Sequence, residues 1–147
     1  MKQVQKSVLL WYSPHEMYAL VTAVEDYPKF LPWCERVEVL ERAPDGLTAR
    51  LHLSYAGVRH AFTTRNVQVP DRSVTIGLVD GPFSLLDGTW VFQPIGAGAD
   101  ACRIEFGMRY ALARGPLDAL IGPMFDRIAD TFVDAFVRRA EQVYGAR

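Results

Sequence analysis

Cysteine is scarce in this chain: Cys34 and Cys102 are the only two among 147 residues. Thiols so far apart supply neither a disulfide framework nor the paired spacing of a zinc site, and a reducing cytosolic compartment is expected. Excess charge is lacking too. Sixteen Lys and Arg stand against 17 Asp and Glu, a net charge of −1. A general electrostatic grip on DNA or RNA is therefore not expected, and only a local basic patch could serve that purpose. No run of about 18 uncharged apolar residues occurs, which argues against a membrane-spanning helix. The stretch Met1 to Tyr12 lacks the apolar core and cleavage site of a signal peptide, so a soluble protein is expected.

Catalytic spacing is the last absence. His15, His52 and His60 are the only histidines. No serine or cysteine nucleophile motif, paired carboxylates or metal-ligand spacing accompanies them. His52 and His60 are expected to lie near each other across one hairpin. All three read as structural, Cys34 as a buried thiol or a redox-responsive one, and an enzyme is not expected. No metal site is expected either.

What is present is apolar patterning. Half of the residues are hydrophobic and 22% are charged, the balance of a globular chain whose length suits one ordinary domain, here 1–147. Gln3 to Tyr12 alternates as a strand does. Ser13-Pro14-His15-Glu16 is a capping-box helix start, and Met17, Leu20, Val21 and Val24 form that helix's buried stripe. Asp26 to Pro32 reads as a one-turn helical piece bounded by Pro28 and Pro32. Six further strands are predicted over 34–42, 47–55, 59–69, 74–79, 86–92 and 102–112, with Pro94 to Asp100 as a loop. Gly115-Pro116 opens a last helix that runs to about Tyr144 and kinks or restarts at Gly122-Pro123. Ile121, Phe125, Ile128, Phe132, Phe136, Ala140 and Val143 share one face of it, while Asp134 and Arg138 form an i,i+4 pair on the other.

The order β-α-α-β6-α makes an α+β fold with a physical consequence. Seven twisted antiparallel strands curl into a concave sheet, and one long amphipathic helix can bury its phenylalanines only inside that curve. A bent sheet and a straight helix match poorly in shape, so a cavity between them is expected.

Tyr27-Pro28-Lys29-Phe30-Leu31-Pro32-Trp33-Cys34, Gly81-Pro82-Phe83 with Leu86, Gly88, Trp90 and Phe92, and Asp134 to Ala140 carry a family likeness. On these residues the chain resembles the START-like (helix-grip, polyketide cyclase/dehydrase) superfamily, in the branch of the coenzyme Q-binding and bacterial RatA proteins. The resemblance implies a seven-stranded curved antiparallel sheet wrapped around the long C-terminal helix. It also implies one of two roles. The first is non-enzymatic binding of a lipophilic molecule, with ubiquinone foremost, as a carrier or chaperone supporting respiratory electron transfer. The second is a RatA-like toxin that binds the large ribosomal subunit and hinders subunit association.

Cavity residues expected for the first role are Phe83, Trp90, Phe92, Phe106, Met108, Tyr110, Phe125 and Phe132, which read equally as ordinary core. Tyr27, Phe30, Leu31 and Trp33 are expected at the cavity mouth, either as a lid or membrane-touching edge or as a rigid corner. A lipophilic small molecule is then the partner, as ligand and not as cofactor, with a transient peripheral contact at the inner membrane of the cytoplasm. For the second role Arg59, Arg65, Arg103 and Arg109 on the outer sheet face, or Arg138 and Arg139 on the last helix, would contact the ribosome.

Overall fold

The computed structural model describes residues 1–115 and 118–147. Alternating side chains yield β1 (Lys2–Leu10), β2 (Cys34–Ala43), β3 (Gly46–Tyr55), β4 (Val58–Val69), β5 (Ser73–Asp80), β6 (Phe83–Ile95) and β7 (Ala101–Leu112). They pair antiparallel in one sheet ordered β1-β7-β6-β5-β4-β3-β2. Six consecutive strands form a meander, and β1 joins its far edge in register from Lys2↔Tyr110 to Leu10↔Cys102. α1 (Pro14–Thr22) and a 3-10 helix (Val24–Lys29) fill the connection from β1 to β2, and α2 (Asp118–Tyr144) ends the chain. This is the curved sheet and long C-terminal helix of a helix-grip fold.

Local chemistry explains the joints. Ser13 Oγ accepts from the Glu16 amide at 3.1 Å while Glu16 Oε1 accepts from the Ser13 amide at 2.9 Å. That reciprocal pair caps α1, and Pro14 opens it where a missing N–H costs nothing. Ala56 and Gly57 both adopt positive φ, 49° and 83°. Two such residues in succession match the right-handed twist of β3 and β4 across a two-residue hairpin.

Several expectations about elements are corrected. β6 extends to Ile95, so Pro94 lies in a strand, paired with Cys102. The amide of Phe92 bonds the carbonyl of Arg72 on the β5 side. Two residues on, the nitrogen of Pro94 faces the same side beyond the end of β5, where no ladder bond is lost. α2 runs unbroken through Pro123, because so near the helix start only the bond to the Ala119 carbonyl is forgone. The expected opening at Pro116 lies outside the described residues. Pro28 sits inside the 3-10 helix and does not bound it.

The core lies between the concave sheet face and α2. Ile121, Met124, Phe125, Ile128, Ala129, Val133, Phe136 and Ala140 of α2 are buried, whereas Val143 is exposed near the helix end and leaves the predicted stripe. Asp134 and Arg138 stand one turn apart, but no salt bridge between them is formed. Two aromatic clusters grip the helix. Phe125 meets Phe83 and Tyr110, each at 4.8 Å between ring centres. Farther along, Phe136 meets Trp90 and Phe30, both at 5.1 Å, and Tyr27 at 5.3 Å. Edge-to-face pairs of this kind add to the burial of their area.

Candidate functional site

Between the two clusters the helix and sheet part. A cavity of about 60 Å³ lies there, roofed by Phe125, Ile128, Ala129 and Phe132 of α2. Its floor is Leu51 of β3, Phe62, Thr64 and Asn66 of β4, Ile76 of β5, Leu86 of β6, and Phe106 and Met108 of β7. Val24, Tyr27 and Trp33 close one end. Small residues occur in and beside this region. Asn66, Ile76, Gly88 and Met108 fall in register across four strands, and Gly88 contributes no side chain to that row. Above it, α2 presents the short Ala129.

Of the cavity residues expected from sequence, Phe106, Met108, Phe125 and Phe132 line the wall, joined by Tyr27 and Trp33 from the expected mouth. The others lie off it. Phe83 belongs to the Phe125 cluster and is 6% exposed, while Trp90 and Phe92 stack with parallel rings in the fully packed interior. The Trp90 Nε1 proton has no acceptor among the described residues. Tyr110 is turned to a polar task, donating its hydroxyl to Asp126 at 2.6 Å. Leu31 is buried in the core, and Phe30 packs on Tyr27 and Phe136 beneath the Arg139 guanidinium, 5.2 Å away. The segment from Tyr27 to Trp33 therefore has most of its apolar surface covered by protein, as a rigid corner would.

Sequence reading missed the polar element of this wall. Thr64 and Asn66 are buried at 3% and 7% exposure, and with Thr63 they are the buried polar residues of the described chain. The Thr64 hydroxyl donates to Asn66 Oδ1 at 3.0 Å. The alternation of β4 could have found them: Phe62, Thr64 and Asn66 share the inward phase, so two polar side chains point where apolar ones belong. Tyr27 also contributes a hydroxyl, but it is already engaged, donating to the Val21 carbonyl at 2.5 Å, and burial raises its pKa.

The histidines and cysteines lie off this wall. His15 pairs with Asp71 at 2.8 Å and His52 with Glu38 at 2.5 Å, while His60 contacts the backbone of Ala61. His52 and His60 are not neighbours as expected. The register sets His52 against Ala61 and His60 against Leu53, and adjacent pairs point to opposite faces of a sheet. The bond from His52 holds Glu38 below its ordinary carboxylate value. Burial pushes the Cys34 thiol up to about 12 and Cys102 to about 11, which keeps both protonated and poorly nucleophilic.

On the outer face three of the four singled-out arginines are neutralised. Arg59 pairs with Glu35 at 3.4 Å, Arg65 with Asp45 at 2.6 Å and Arg109 with Asp87 at 2.6 Å. Arg103, Arg138 and Arg139 have no salt bridge among the described residues.

Known proteins agree with this architecture. Residues 10–137 match the family described as polyketide cyclase / dehydrase and lipid transport. Over its full length the chain is 41% identical to the persistence and stress-resistance toxin of Escherichia coli O6:H1, and covers 92% of it. It is 40% identical to the ribosome association toxin of Escherichia coli K12, at the same coverage. Over 97% of its length it is 27% identical to a mitochondrial coenzyme Q-binding protein of Xenopus laevis, of which it spans 59%. Its structure is similar to a START superfamily protein of Mycobacterium smegmatis, with a TM-score of 0.78 at 19% identity over 96% and 98% of the two chains. The Zhui aromatase/cyclase of Streptomyces sp. R1128 is similar at a TM-score of 0.79 and 18% identity, over 96% and 94%. At those identities the likeness is one of fold.

Proposed function

The chain belongs to the polyketide cyclase/dehydrase and lipid transport family, and from that premise we propose that it acts by binding, associating with the ribosome as its relatives at 40% identity are named for doing. The observation that carries this reading is the extent of that identity. It spans every residue at 40%, against 27% for the coenzyme Q-binding relative. Charge favours a contact at the Arg138 and Arg139 end of α2, since the outer-sheet arginines are mostly held by carboxylates. Sedimentation of the purified protein with separated ribosomal subunits tests the proposal. It is expected in the large-subunit pellet at low salt and to be released as salt rises.

A second reading, that the cavity takes an apolar ligand, is favoured by its lining. Thirteen of fifteen lining residues are apolar or aromatic, and none is acidic, basic or a histidine. The volume limits what fits. A cavity of roughly 150 Å³ holds one benzene ring, so a quinone with a polyprenyl tail requires the interior to open from its 60 Å³. Ring-forming catalysis of the kind named for the Streptomyces neighbour needs groups that exchange protons with substrate. The Tyr27 phenol, the wall's titratable group, is committed to a backbone carbonyl, which supports binding over catalysis. Release of a small organic molecule on solvent extraction of the purified protein, identified by mass spectrometry, tests the ligand reading.

A further inference from the structure

Asn66 is more than nine-tenths buried, it lines the cavity, and its side-chain carbonyl accepts the Thr64 hydroxyl. That bond orients the amide. With Oδ1 engaged, Nδ2 carries two N–H donors that find no acceptor among the described residues. This donor keeps accessible surface, unlike Trp90 Nε1, the one sealed and unpartnered side-chain nitrogen or oxygen among the described residues, and a leucine would fill the same space without leaving a donor there. The packing of the fold therefore gives no reason for an amide here. Phe106, Phe125, Phe132 and Trp33 supply aromatic walls, and the lining contains no charged side chain that could balance an ion.

We propose that the Asn66 amide, aligned by Thr64, is the hydrogen-bond donor for the oxygen of an uncharged, carbonyl-bearing apolar ligand held in this cavity. The inference rests on the reading that the cavity takes an apolar ligand, and it adds the chemical class. A carbonyl oxygen accepts one or both Nδ2 protons, and the ligand's apolar body lies along the aromatic walls. A carboxylate is disfavoured because nothing in the lining neutralises it. Room for the body comes from Met108, a flexible side chain that is only half-buried, and from Phe132 opposite. Without such a ligand the cavity is roomy enough for water, which needs about 10–15 Å³ of such space per molecule, and water would then satisfy the amide.

The test uses three probes of similar shape: acetophenone, ethylbenzene and benzoate. Binding is followed by titration calorimetry and by the fluorescence of Trp33, in the parent protein and in Phe132→Ala, whose cavity is larger. Acetophenone is expected to bind about tenfold more tightly than ethylbenzene, the worth of one hydrogen bond formed away from water, with benzoate at least as weak as the hydrocarbon. In Asn66→Leu that preference should fall to about onefold while ethylbenzene binding persists. Thr64→Val, which removes the aligning hydroxyl, should reduce the preference in part and serves if Asn66→Leu does not fold. Equal binding of ketone and hydrocarbon, or a preference that survives both substitutions, overturns the role of Asn66 and leaves the apolar cavity standing. Failure of every probe in both the parent and Phe132→Ala overturns the ligand reading itself, and the pair then serves only to hold water.

Discussion

The hydroxyl of Tyr110 donates to Oδ1 of Asp126 at 2.6 Å, and Lys2 reaches the other oxygen of the same carboxylate. One side chain of α2 is thereby tied to β7 and to the edge strand β1, across the closing seam of the grip. Burial pushes the Asp126 carboxyl up, but the Lys2 ammonium and the Tyr110 hydroxyl outweigh it and hold the group below its ordinary value. A carboxyl depressed in the folded state adds stability above its unfolded pKa of about 3.9 and loses it as pH falls through the lower folded value. Chemical denaturation from pH 7 to pH 3 should show Asp126→Asn less stable than the parent at neutral pH, with the gap closing below about pH 4. A gap independent of pH contradicts the strap. Tyr110→Phe should cost about 1 kcal/mol, one hydrogen bond.

Phe136 and Phe132 occupy successive turns of α2 but unequal surroundings. Phe136 is fully buried among Tyr27, Phe30 and Trp90, whereas Phe132 is half-buried over the cavity. Phe136→Ala should cost about 3–5 kcal/mol. Phe132→Ala should cost less, because its ring already borders empty space and loses fewer contacts. Equal costs in urea denaturation would mean that the helix packs as tightly over the cavity as beyond it.

Met108→Trp extends an aromatic side chain into the cavity. If the space is open as described, stability should change by less than about 1 kcal/mol and ligand retention on extraction should fall sharply. A loss of about 1–3 kcal/mol signifies overpacking of a filled core.

The three histidines stand apart, each with its own surface or backbone partner. His15→Gln, His52→Gln and His60→Gln should each restore function to a strain lacking the protein as well as the parent does. One folded variant that fails would point to proton-transfer chemistry at that histidine.

Much of the fold was legible because its determinants are local. The Ser13 capping box, the turn residues Ala56-Gly57 and the alternation of each strand act within a few positions. The site was legible only in part. Strand and helix phase turns Phe106, Met108, Phe125 and Phe132 inward, and the structure places them on the cavity wall, but phase does not distinguish a cavity wall from close packing. Trp90 and Phe92 share the inward side and have no space before them. Ala129, the short side chain of the lining, comes to face the sheet only through the placement of α2. Thr64 and Asn66 do not stand out in the sequence, because a polar residue in a half-buried strand ordinarily faces outward. Pairing of Arg59, Arg65 and Arg109 with carboxylates likewise depends on which neighbours folding brings beside them.

Association with the ribosome through the arginine end of α2 is open to test by sedimentation of paired variants with separated subunits. The parent and Met108→Trp should pellet equally with the large subunit at low salt. Arg138→Glu combined with Arg139→Glu should stay largely in the supernatant, and Arg109→Glu should behave nearly as the parent. Raising the salt should release the parent progressively. If the double charge reversal pellets as the parent does while Met108→Trp is lost from the pellet, association depends on the ligand cavity, and a contact through the arginine end of α2 is contradicted.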